Sequence, residues 1–145
     1  MIYEGTIKYE TTTSRGSTKV VRESYLIIDA ETFCDAEYTL YMNNQDKTNI
    51  DVVSLKRSRI KEIANTNREN ERMFIATLVD VFTDEDGHEK ELTYDIAFFA
   101  MDIEKAHNFI MLYSQQGYCM ELKGIVETKF IDVLKYESAK SLHRD

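Results

Sequence analysis

Polar and apolar positions alternate along several stretches of the chain and recur at helical spacing in two others, and this predicts strands and helices in a fixed order. Ile2-Tyr3-Glu4-Gly5-Thr6-Ile7-Lys8-Tyr9-Glu10-Thr11 reads as a strand, and Phe74-Ile75-Ala76-Thr77-Leu78-Val79-Asp80-Val81-Phe82-Thr83 repeats its pattern, with Tyr3, Ile7 and Tyr9 matching Ile75, Val79 and Val81. Ser14-Arg15-Gly16 and Glu85-Asp86-Gly87 follow as tight turns, each with a glycine for the positive φ of a hairpin. Second strands run from Val20 to Asp29 and from Glu91 to Ala100, rich in β-branched and aromatic residues.

A helix comes next in both halves. Thr32, with Asp35 three residues on, and Asp102 supply side-chain oxygens that accept from the free amides of a first turn. Phe33, Ala36 and Leu40, matched by Ile103, Ala106 and Ile110, form the stripe that each helix lays on a sheet. After polar breaks at Asn43-Asn44-Gln45 and Gln115-Gln116-Gly117, third strands extend from Ile50 to about Ile60 and from Met120 to about Val133. The offset between halves drifts from 72 to 70, which places small insertions in loops.

The unit is therefore ββαβ. A hairpin followed by a helical crossover directs the third strand parallel to the second, with the first strand between them. The fold class expected is α+β: a tandem duplication of a ββαβ unit, giving mainly antiparallel sheets, each covered by one helix, in a pseudo-twofold arrangement. The boundaries expected are 1–62 for the first unit, 63–72 for a polar connector (a loop or a short solvated helix), 73–134 for the second unit and 135–145 for a tail. The tail reads as a frayed helix or an arm onto a partner.

Composition narrows the setting. The 145 residues carry a formal charge of −8 with 43% hydrophobic and 30% charged residues, the profile of a soluble globular chain. No stretch reaches the roughly 18 apolar residues of a membrane span, and the start lacks a signal peptide's basic and apolar regions, so a cytoplasmic protein without membrane contact is expected. Cys34 and Cys119 are two thiols without partners at metal-ligand spacing, which argues against a disulfide framework and a zinc site.

Three segments, Tyr3-Glu4-Gly5-Thr6-Ile7-Lys8-Tyr9-Glu10, Ala30-Glu31-Thr32-Phe33-Cys34-Asp35-Ala36-Glu37 and Glu127-Thr128-Lys129-Phe130-Ile131-Asp132-Val133, carry a likeness to known proteins. On them the sequence resembles a domain-of-unknown-function family of gut bacteria and their tailed phages. The resemblance implies a bacterial or phage setting, with host-factor modulation or virion assembly as roles, and transfers no site residue.

Catalysis has no visible apparatus, and no cofactor is expected. His88 sits beside a turn, His107 follows a core position and His143 lies in the tail; no phosphate loop, zinc-protease helix or serine elbow is present. Asp84-Glu85-Asp86-Gly87 brushes against a calcium loop, but the EF-hand register puts Phe82 at the first ligand position and Thr93 at the bidentate one, leaving a charged hairpin tip.

Lys56-Arg57-Ser58-Arg59-Ile60-Lys61 is the one basic concentration. In a strand Arg57 and Arg59 share a face with Val53 and Leu55, while Lys56 points the other way with Val52 and Ser54. Lys56, Arg57, Arg59 and Lys61, with Tyr9 and Tyr25 (and Tyr3) as stacking rings, are candidate contacts for an anion or single-stranded nucleic acid. Overall negative charge weighs against phosphate binding. Residues 1–70 are net −1 and residues 71–145 net −7, which suggests that the basic strand of one copy docks on the acidic part of another.

Tyr38, Tyr41 and Met42, with Phe109, Met111 and Tyr113, widen the helical stripes beyond what one sheet face needs. They are candidate protein-interface residues or filler between two lobes. The reading expected is a non-catalytic binding or assembly module acting through protein contacts, with a homo-oligomer among its forms; the alternative is a single-stranded nucleic-acid-binding protein.

Overall fold

In a computed structural model, the structure describes residues 1–115 and 120–138. Gln116, Gly117, Cys119, His143 and the tail beyond Ser138 lie outside the described residues. The fold is α+β, with two helices and two four-stranded, mostly antiparallel sheets. The chain divides into two compact units, 1–58 with 129–145, and 59–128.

The first unit opens with β1 (Tyr3–Thr12) and β2 (Thr18–Ile28), an antiparallel hairpin in which Tyr3 pairs with Ile27 and Thr12 with Thr18. Its turn holds Gly16 at φ +81, where a Cβ would be strained. Helix α1 (Phe33–Met42) starts as expected, the Thr32 hydroxyl accepting from the Asp35 amide at 3.1 Å. β3 (Thr48–Arg57) then returns antiparallel to β1, leaving β1 between β2 and β3. Tyr3, Ile7, Tyr25, Ile27, Ala36 and Leu40 form the core between sheet and helix. Gly5 lets the helix close down, since a Cβ there would come within 2.7 Å of Leu40 Cδ1.

The second unit contains β4 (Ile60–Ile63), β5 (Arg72–Thr83), β6 (Glu89–Ala100), α2 (Ile103–Ser114) and β7 (Glu121–Glu127). The β5–β6 turn holds Gly87 at φ +82, and Asp102 caps α2 by accepting from the Lys105 amide at 2.8 Å. β5 lies between β6 and β7, antiparallel to both. Phe74, Ala76, Leu78, Ile96, Phe98, Ala106 and Ile110 make its core.

Three sequence expectations change. First, Phe74, Ala76 and Leu78 face α2, whereas Ile75, Val79 and Val81, which the pattern matched to Tyr3, Ile7 and Tyr9, lie on the other face of β5. A one-residue slip in alignment exchanges the faces of a strand. Second, Phe33 and Ile103, expected in the core stripes, are 48% and 55% exposed, each being the first residue of its helix; Phe33 packs edge-on against Tyr3, ring centres 5.1 Å apart, and beside the guanidinium of Arg57.

Third, each long third strand is broken. Arg57 pairs with Tyr3, the first residue of β1, and Ser58 N still bonds Ile2 O at 2.8 Å; along β5, which begins at Arg72, Glu127 pairs with Phe74 and Thr128 N still bonds Met73 O at 2.9 Å. The chain continues as β4 along β6 and as β8 (Phe130–Lys135) along β2, both parallel pairings that satisfy otherwise open strand edges. Among the described residues eight strands replace the six expected, in the orders β3-β1-β2-β8 and β4-β6-β5-β7. Residues 64–71, from the expected connector, form a loop, and the described start of the tail is not helical: Tyr136 donates its amide to Ile28 O at 3.0 Å and packs on the first core.

Candidate functional site

The hairpin register of the first unit sets Ile7 opposite Glu23 and Tyr9 opposite Val21, so Tyr9 and Glu23 are diagonal neighbours on the face under α1. Glu23 collects two phenols there. The Tyr9 hydroxyl donates to Glu23 Oε1 and the Tyr25 hydroxyl to Oε2 at 2.6 Å. Asn44, buried at the end of α1, donates from Nδ2 to Leu40 O at 2.7 Å and holds its Oδ1 3.4 Å from the Tyr25 hydroxyl. Lys47 Nζ stands 5.3 Å from the Tyr9 ring centre and 3.7 Å from Asp46.

The Glu23 carboxylate, followed by burial and the charges of Glu23 and Asp46, pushes the Tyr9 phenol up to about 12. Burial first, and the bond to Glu23 second, raise Tyr25 as well. These phenols are donors held in place, the opposite of activated nucleophiles.

A stability consequence follows with a definite sign. Since the folded chain holds the Tyr9 proton beyond the ordinary phenol value of about 10, its contribution is complete below pH 10 and drains away as pH rises towards 12. Urea unfolding between pH 8 and 12 is expected to show this fall, reduced in Tyr9→Phe; the same alkaline slope in both proteins would contradict it.

The matching end of the second unit differs. Asp80 and Tyr94 occupy the diagonal positions, with Leu78 opposite Tyr94 and Asp80 opposite Leu92. They line a cleft of about 360 Å³ together with Leu78, Ile96, Met120, Lys61, Glu62, Tyr113 and Ser114. The Tyr113 hydroxyl donates to Glu62 Oε1.

The residues singled out from sequence are dispersed. Lys56 and Arg57 end β3, Arg59 follows in the chain switch and Lys61 lies on β4 in the second unit, all four exposed. Lys56 Nζ is 4.0 Å from Glu4, and the Arg57 guanidinium stands 5.8 Å from the Phe33 ring centre. Tyr25 is 6% exposed and Tyr3 fully buried, so neither ring offers a stacking face; the Tyr3 hydroxyl has no hydrogen-bond partner among the described residues.

Among the interface candidates, Tyr38 packs edge-on against Tyr136, and Phe109 stacks between Phe98 and Tyr113. Tyr41, Met42 and Met111 are each a little over one-third exposed. His88 and His107 are exposed, as is the free thiol of Cys34. At the acidic hairpin, Asp84, Asp86 and His88 bring ligand-type atoms within 4.8 Å of one another. Asp84 Oδ1 is already occupied by the amides of Asp86 and His88, at 3.0 and 2.8 Å, which makes it a turn cap.

Sequence reading passed over Glu23, Asn44, Asp80 and Tyr94. The signal was present: once the turn sets the hairpin register, Tyr9 and Glu23, or Asp80 and Tyr94, must share a face.

The molecule is thus an α+β protein with two helix-covered sheets and a polar site at one end of each. It belongs to the family described as Domain of unknown function (DUF4494), whose model matches residues 1–136. A comparison with curated proteins finds no match. No helix among the described residues is long and apolar enough to cross a membrane.

Proposed function

We propose that the protein is a non-catalytic binding or assembly module that works through protein–protein contacts, with a second copy of the chain as a partner. The uneven placement of charge supports this reading most directly. The unit formed by 1–58 and 129–145 carries eleven basic and twelve acidic side chains, and 59–128 carries seven and fourteen. Exposed Lys56 and Arg57 end an edge strand of the first, while Asp86, Glu89 and Glu91 stand exposed along the hairpin of the second. A basic edge of one copy facing an acidic hairpin of another gives an oriented contact whose strength depends on salt.

Sedimentation velocity across protein concentrations at 20 and 500 mM salt tests it. Self-association at low salt, lost at high salt and in Lys56→Glu/Arg57→Glu, is the expected result; a monomer under every condition overturns the self-association. Nucleic-acid binding is the weaker reading, because the rings meant to stack are buried or held by Glu23. A phage-borne setting draws its support from the sequence resemblance alone.

The same reading takes the two units as copies of one ββαβ ancestor. Supporting it, Thr6 Oγ1 meets Ser24 Oγ at 2.8 Å and Thr77 Oγ1 meets Asp95 Oδ1 at 2.9 Å, 71 residues apart throughout. The hairpins close alike: Gly16 N to Thr13 O at 2.9 Å, and Gly87 N to Asp84 O at 3.1 Å.

A further inference from the structure

In the first unit the carboxylate at the end of the helix-covered face is satisfied, Glu23 receiving one phenol on each oxygen. In the second unit the acid and the phenol have exchanged places, Asp80 standing where Tyr9 is and Tyr94 where Glu23 is. Aspartate is one methylene shorter than glutamate. Asp80 and Tyr94, both half-buried, have no hydrogen-bond or ion-pair partner among the described residues.

What they line is a cleft with a definite chemistry. Its floor is apolar, with Leu78 and Ile96 at 1% and 3% exposure and Met120 beside them. Its walls carry the Tyr94 and Tyr113 rings and two carboxylates, Asp80 and Glu62. Lys61 is the one cation among the lining residues, exposed and without an ion pair among the described residues.

We propose that this cleft binds a cationic head on an apolar stem, an alkylammonium or alkylguanidinium group, presented as a lysine or arginine side chain of a protein partner. A half-buried carboxylate with open lone pairs gains a charge-assisted hydrogen bond from such a head. Tyrosine rings add attraction for a cation, and the apolar floor takes the methylene stem. An anion would face two carboxylates, and a neutral apolar ligand would leave Asp80 desolvated and unpaired. Taking the cation from a protein rests on the protein-contact reading; the chemistry of the cleft does not.

The test is a ¹⁵N–¹H NMR titration of the full chain with n-butylammonium, n-butylguanidinium and n-butanol, and with a capped pentapeptide holding one lysine among alanines. Saturable shifts at the amides of Leu78, Asp80, Tyr94 and Ile96 are expected from both cations and the peptide, with none from butanol. Asp80→Asn should weaken binding at least tenfold, and Lys61→Ala, which removes a competing cation from an exposed position, should tighten it at least twofold. Shifts equal for butanol, affinity unchanged in Asp80→Asn, or weaker binding in Lys61→Ala would overturn the site, and if Asp80→Asn misfolds, the Lys61 variant decides. Binding of the free amines without the peptide overturns the protein source alone. Self-association by sedimentation stands or falls separately.

Discussion

A chain ending at Thr128 is expected to lose the fold of the unit that contains the N-terminus, although nothing before residue 129 has changed. β8 lies along β2 from Ser24 to Ile28, and its removal strips that edge of its parallel partner. It also removes Phe130, 8% exposed, and the packing of Leu134 and Tyr136 against the first core. A large apolar side chain contributes about 1.5–3 kcal/mol when fully buried; Phe130 is buried while Leu134 and Tyr136 are half-buried, so the three together supply a few kcal/mol, a sizeable share of the roughly 5–15 kcal/mol of a whole domain. A chain ending at Ser138 retains all of these contacts. Amide exchange should show β1 and β2 protected in the longer chain and at least a hundredfold less protected in the shorter one. Equal protection in both would show that β8 adds little to the first sheet.

Phe98→Ala is expected to cost the second unit about 3–5 kcal/mol, the usual range for emptying a fully buried phenylalanine site. Phe98 is fully buried, its ring stacked 5.0 Å from Phe109 and 6.1 Å from Phe74, so truncation breaks a four-ring row that runs on from Phe109 to Tyr113. Phe98→Leu, which refills most of the space, should cost less than half as much. Urea unfolding followed by far-ultraviolet circular dichroism measures both. A loss below about 1.5 kcal/mol for the alanine variant would mean that the neighbouring rings collapse into the cavity.

The helix starts at Thr32 and Asp102 and the turns at Gly16 and Gly87 were readable from sequence because each depends on interactions within four residues. The order of β1, β2 and β3 was readable too, since a tight hairpin and a helical crossover leave few ways to arrange three strands. The polar sites were half readable. Tyr9 and Tyr25 stood out as aromatic, yet their role as donors to Glu23 depends on a diagonal contact across the hairpin, and Asp80 with Tyr94 drew no notice because neither matches a motif.

Local pattern by itself determined the element types, their order, the caps and the charge contrast between the two parts of the chain, because periodicity, turn chemistry and charge are properties of neighbouring residues. Only the tertiary structure decided where the third strands break and which edge each continuation covers. An alternating strand looks the same whether its next residue pairs with β1 or with β6, and the change of partner falls after Ser58 and Thr128, whose amides still bond Ile2 O and Met73 O. The same holds for the two ends of the helix-covered faces: sequence placed an acid and a phenol in each, and packing closed one on Glu23 and left the other open at Asp80.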